Sequence, residues 1–176
     1  RNNSTSYNIL VNTYKWTIYD AGITTMRFLL TFPTTGTVTV NIPLFYASGA
    51  PVFTVDWGDA SANGLLTHTY SITTAGTVRL ISIGGTTTNV GKFGSTDASY
   101  NTFYANLTHV MSWCPTLNIK DYSYAFNNAV KLEYIDEELP AGALDMSYMF
   151  NGCTTYNQST VVAATSLTLN TSTVTN

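Results

Sequence analysis

Few groups in this 176-residue chain have the types and spacing for chemistry. Asp56 and Asp59, in "DWGD", are a carboxylate pair of the kind glycoside hydrolysis uses as acid and nucleophile or base. They sit in one turn-forming stretch, which is poor spacing for flanking a sugar, so a structural role is expected. Glu133, Asp136, Glu137 and Glu138 cluster in "EYIDEEL". They lack a ligand spacing such as the EF-hand's, and a solvated loop is the reading taken. His68 and His109 stand without an i+4 partner, so neither reads as a zinc ligand. No G-x-S-x-G, phosphate-binding loop or G-x-G-x-x-G occurs. The expectation is no enzyme, no cofactor and no metal.

The elements that would hold these groups follow from composition and period. Only 10% of residues are charged, against roughly 25% in ordinary domains, while 44% are apolar and 13% aromatic. Branched and aromatic side chains pack well on a pleated surface, so a mainly β protein is expected. A net charge of -3 gives phosphate neutralisation little to work with, and nucleic acid is not expected as a partner. No stretch approaches the roughly 20 apolar residues of a membrane-spanning helix. The chain opens on Arg1 rather than Met, which leads to the expectation of a processed, secreted protein, or else an excised domain.

Along the chain, Leu10, Asn12, Tyr14, Trp16 and Ile18 alternate, and Tyr14, Trp16 and Ile18 would share one face of a strand with no near partner. Phe28, Leu30 and Phe32, then Val38, Val40, Ile42 and Leu44, read as two strands of a hairpin around Pro33 and Gly36. Phe53, Val55 and Trp57 alternate before a turn, and "THTYSITTAGTVRLISI" gives two more strands split at Ala75-Gly76. Further on, "DYSYAFNNA" (Asp121 to Ala129) returns 24 residues later as "DMSYMFNGC" (Asp145 to Cys153). Such a period predicts stacked turns, with Tyr124 on Tyr148, Phe126 on Phe150, and Leu132 and Tyr156 as a further apolar column. A weaker third phase is read at Asp97, Ser99 and Tyr100. Near the end, Leu167 and Leu169 alternate with Thr and Ser, as a strand or a cap for the stack.

Two resemblances attach to these residues. "FTVDWGDAS", then "THTY", then "AGTVRLISI" resembles the PKD-type immunoglobulin-like sandwich, whose signature is W-G-D-G, H-T-Y and G-T-Y-x-V. The resemblance implies that Trp57 packs in a core, Asp59 caps the tight turn and Tyr70 anchors a strand crossing like a tyrosine corner. Ala60 departs from the usual second turn Gly, and Val78 from the usual aromatic. "DMSYMFNGC" resembles the BspA-like leucine-rich repeats of surface lipoproteins, which read D-M-S-x-M-F-x-x-C; Ala125, Asn128 and Ala129 depart from that unit in the first copy.

The organisation expected is therefore an N-terminal extension at 1-27, a PKD-like sandwich at 28-84, a junction at 85-106, repeats at 107-158, and a terminal strand or cap at 159-176. Strand-like segments at both ends are extra to the two modules. Cys114 and Cys153, 39 residues apart and out of phase with the period, read as small buried residues rather than a disulfide. Asn2, Asn3, Asn106, Asn157 and Asn170 stand in N-x-S/T sequons, a number close to chance in a Ser/Thr-rich chain.

Both resembled families imply an extracellular, non-catalytic surface protein, structural or adhesive. Its expected partners are itself, a host or extracellular protein, or a glycan. Copies joining through the strand around Tyr14, Trp16 and Ile18 would make a fibre or surface layer. The alternative is a carbohydrate-binding accessory module of a secreted polysaccharide-degrading enzyme, with Trp16, Trp113, Tyr100 and Tyr104 as a candidate aromatic row. Core packing is the preferred role of Trp113.

Overall fold

The computed structural model describes residues 25–46, 53–85, 90–135 and 142–156. The expected strand at Tyr14, Trp16 and Ile18, the acidic residues 136–138 and the terminal segment 159–176 lie outside them.

The protein is mainly β, with several sheets. The strands among the described residues are β1 (Thr25–Phe32), β2 (Gly36–Asn41), β3 (Leu44–Tyr46), β4 (Phe53–Asp56), β5 (Ala62–Asn63), β6 (Thr67–Ile72), β7 (Thr77–Gly85), β8 (Val90–Phe93), β9 (Leu107–Ser112) and β10 (Tyr134–Ile135). Among the described residues a short helix, α1 (Asn101–Asn106), follows a 3-10 turn at Ala98–Tyr100. Six strands form one sheet in the order β10-β9-β1-β7-β4-β5, while β2 pairs β6 and β3 pairs β8.

The centre of the large sheet is β1, antiparallel to β7 from Thr25↔Gly84 to Phe32↔Thr77 and to β9 on its other edge. Its alternation explains the position: Met26, Phe28, Leu30 and Phe32 are buried on one face and Leu29 on the other, so both faces need cover. This corrects the expected hairpin. The segments either side of Pro33 do not pair, because β1 joins β7 and β9 while β2 joins β6. The alternating run from Val38 to Leu44 is likewise two strands, β2 and β3, parted at Pro43. Met26 is fully buried within β1, so the 27/28 division falls inside a core strand.

One buried cluster runs through the described residues. Phe93 links its parts: its ring lies parallel to Phe28 at 5.3 Å and edge-on to Trp113 at 6.4 Å and Phe126 at 6.1 Å. The large sheet and the repeated segments therefore share a core, with β9 in the sheet and the turns after it packed beneath. Trp113 takes the core role expected of it, edge-on to Tyr122 at 5.3 Å.

Candidate functional site

Two constellations gather the chemistry-bearing residues. The first is the turn after β4. The Gly58 N–H donates to Asp56 Oδ1 at 2.9 Å. Asp59 Oδ1 accepts from the Ser61 N–H at 3.2 Å and the Ser61 hydroxyl at 2.5 Å. Asp59 Oδ2 lies 2.8 Å from His68 Nε2. Two residues on, the buried Tyr70 hydroxyl donates to the Trp57 carbonyl at 2.7 Å, and the Trp57 indole N–H reaches Asn63 Oδ1 at 3.3 Å. The His68 ring stacks on Trp57 at 5.0 Å and meets Tyr70 edge-on at 4.6 Å.

Ser, His and Asp are thus neighbours, but their wiring is that of a fastener. A nucleophilic serine needs its proton aimed at a base, with the carboxylate on the far side of that base. Here the Ser61 hydroxyl spends its proton on the carboxylate, and His68 contacts the other oxygen of the same group. Burial alone would raise the Asp59 pKa; the hydrogen bonds from Ser61 and His68 outweigh it and hold the carboxyl below its ordinary value. Asp56 and Asp59 both point into their own turn instead of facing each other across a cleft. Burial drives the Tyr70 phenol far above its ordinary pKa, so it stays a donor. Ala60, which stands where the resembled family has Gly, does take a left-handed conformation, φ 68.

The second constellation is the repeat. The N–H groups of Tyr122, Tyr124, Phe126 and Asn128 donate to the carbonyls of Asp145, Ser147, Met149 and Asn151 at 2.7, 3.1, 2.9 and 2.7 Å. Each copy closes its own turn through an acidic side chain: Ser123 N–H to Asp121 Oδ1 at 2.7 Å, and Ser147 N–H to Asp145 Oδ1 at 2.8 Å. That bond, with the Ser147 hydroxyl, holds the Asp145 carboxyl below its ordinary pKa. Side chains stack in register. Tyr124 lies on Tyr148 at 5.0 Å and 7°, Phe126 on Phe150 at 5.5 Å, and Asn151 Nδ2 donates to Asn127 Oδ1 at 2.8 Å. Tyr156 stacks on Phe150 at 4.8 Å and packs against the buried cluster that contains Leu132.

The sequence departures have local causes. Asn128 and Gly152 occupy equivalent places and both are left-handed, at φ 58 and 74, which Asn tolerates better than most side chains. Tyr124 and Tyr148 share a left-handed φ, of 58 and 53. Ala129 fits where Cys153 stands because both are small. No disulfide forms among the described residues: Cys114 is buried, and the Cys153 thiol bonds the Phe126 carbonyl at 3.0 Å with its pKa pushed up to about 11 by burial.

A tier above Asp121 exists, but it is not the phase at Asp97, Ser99 and Tyr100. Asp97 makes the same local turn, its Oδ1 accepting from Ser99 N–H at 2.8 Å, yet it caps the 3-10 turn before α1. The stacked neighbour is β8: Asp121 N–H donates to Gly91 O at 3.1 Å, and Phe93 N–H to Asp121 O at 2.9 Å. Lys92 lies 3.3 Å from Asp121 Oδ2 and donates to the Ser123 hydroxyl at 2.5 Å. The 24-residue period does not reveal Lys92, because β8 stands 29 residues above Asp121 in the Lys92↔Asp121 bridge.

Other expected groups scatter. His109 stacks on Tyr134 at 5.0 Å, away from His68. Tyr104 and Trp113 are buried and Tyr100 packs on Phe45, so these members of the candidate aromatic row form no exposed platform. The side chain of Asn106 is buried and donates to Thr102 O at 2.8 Å, which closes that sequon to a glycan in the folded protein. Among the described residues, no group of acidic, Cys or His side chains could hold a metal, and no helix is long and apolar enough to cross a membrane. No family model, curated protein or solved structure matches the chain.

Proposed function

We propose that the chain is a non-catalytic extracellular surface protein, structural or adhesive, whose copies join by donating a strand. In this reading the segment through β7 is a PKD-like immunoglobulin sandwich fastened by Trp57, Asp59 and Tyr70, and the repeats form a short BspA-like solenoid carried on it. The Asp59, Asp121 and Asp145 carboxylates are each engaged by a serine in their own turn, which suits a scaffold.

The observation that carries the assembly reading is the outer edge of β6. This six-residue strand, "THTYSI", pairs with β2 on one side and with no strand on the other among the described residues. The far flank of β2 is not equivalent, since it lies against α1 and the 3-10 turn, with Asn41 Nδ2 bound to Ser99 O at 2.8 Å. Soluble proteins guard open edges with Lys, Pro or bulges, and β6 contains no Pro, Lys, Arg, Asp or Glu. An added strand with alternating apolar residues, such as the one through Tyr14, Trp16 and Ile18, has the matching pattern. The test is negative-stain electron microscopy over a concentration series, comparing the full chain with one lacking residues 1–24, a cut that leaves β1 intact. Fibres from the full chain alone support strand donation, and single particles from both overturn it.

A further inference from the structure

The stack of turns has a direction. In the tier at 121–129 the N–H groups of Tyr122, Tyr124, Phe126 and Asn128 point down to the carbonyls of the next tier, while upward the Asp121 carbonyl accepts from Phe93 of β8. The equivalents one period on are the N–H groups of Met146, Tyr148, Phe150 and Gly152, and these four have no acceptor among the described residues. Beside them Tyr148, 66% exposed, presents the ring face that in Tyr124 is covered. The lower end is therefore a row of donors at alternate residues next to bare aromatic surface.

A second copy meeting this end with its own equivalent would set donors against donors, so a symmetric end-to-end dimer is disfavoured. The upper face is not open to a second copy either, since β8 bonds the Asp121 carbonyl and Gly94, just after it, lies against the Ser123 and Ala125 backbone. The complement is visible one tier up: polypeptide whose carbonyls fall at alternate residues. We propose that this end docks the chain's own segment 159–176, seated as a closing strand on the N–H groups of Met146, Tyr148, Phe150 and Gly152. The chain leaves the last tier at that end, where the Tyr156 ring lies 4.8 Å from Phe150. The segment "STVVAATSLTLNTSTVTN" contains no charge, Gly or Pro, so it offers carbonyls and branched side chains without burying an ion. Linkage in one chain raises its local concentration over any outside strand. The inference rests on the stacked-tier reading of the repeats and is independent of assembly through β6.

The test is residue-resolved amide hydrogen exchange on the full chain at two protein concentrations, with and without the paired substitutions Leu167→Asp and Leu169→Asp. Exchange at residues 146, 148, 150 and 152 is expected to be slow and concentration-independent in the natural sequence, and about tenfold or more faster in the variant. The amides of residues 122, 124, 126 and 128 remain protected in both, reporting that the variant is folded and that the tiers stand. Unprotected exchange at the four positions in the natural sequence overturns the proposal. So does protection that survives the substitutions, or that grows with protein concentration and so marks a second molecule. Loss of protection at 122–128 in the natural sequence would instead overturn the stacked-tier reading itself.

Discussion

Gly36 and Gly94 have nearly the same backbone conformation, φ +132 and +128, in opposite surroundings, which allows packing to be separated from strain. A Cβ added at Gly36 would meet nothing within 4 Å. At Gly94 it would meet the Ala125 backbone at 2.5 Å from N and 2.6 Å from Cα, and the Ser123 carbonyl oxygen. Substitution by Ala forces both sites out of a glycine conformation at about 1–3 kcal/mol each. Only Gly94→Ala also drives a methyl into backbone that cannot swing aside, adding about 1–3 kcal/mol. For a chain of this length each kcal/mol lowers Tm by about 2–4 °C, so Gly94→Ala should melt about 2–12 °C below Gly36→Ala. Urea unfolding followed by tryptophan fluorescence and differential scanning calorimetry would both read this, since Trp57 and Trp113 are buried. Equal losses in the two variants would refute the seating of the β8 end against the tier at Asp121.

Three further outcomes follow from single contacts. Tyr70→Phe removes the donor from the buried Trp57 carbonyl and should cost about 1–3 kcal/mol in urea unfolding, with little change in slope. Ala60→Gly should stabilise the protein by about 1 kcal/mol, because glycine has no Cβ penalty at φ 68; a loss would place the strain elsewhere. Burial lowers the His109 pKa below its ordinary 6.5 despite the nearby Glu133, so the unfolded chain takes up a proton there more readily than the folded one. Stability from this site is therefore present above pH 6.5 and is lost as pH falls through that value toward the lowered folded pKa. His109→Phe, which keeps a ring on Tyr134, should flatten the difference between urea midpoints at pH 7.5 and pH 5.5.

Local patterns were legible in the sequence and long-range pairing was not. The 24-residue phrase announced the stacking of Tyr124 on Tyr148 and Phe126 on Phe150, because equivalent residues on neighbouring tiers must meet. Alternation announced β1, β2, β4, β6 and β7 as strands. It could not say that β1 pairs with β7 and β9, since period two fixes which face is buried but not which strand lies alongside. The third tier was hidden for another reason: β8 and the turn at Asp97 both carry tier-like features, and only a folded chain shows which one lies against Asp121. The link from Asp59 to His68, nine residues on, likewise needs the β6 strand to turn back over its own loop.

The most direct measurement of the central claim is sedimentation velocity of the full chain over a wide concentration range, beside the variant Thr69→Lys/Ser71→Lys. Thr69 and Ser71 are exposed on β6, so the added charges guard its edge without entering the core. The account requires sedimentation coefficients that climb with concentration for the natural sequence and stay at the monomer value for the variant. Indistinguishable distributions for the two chains would contradict it.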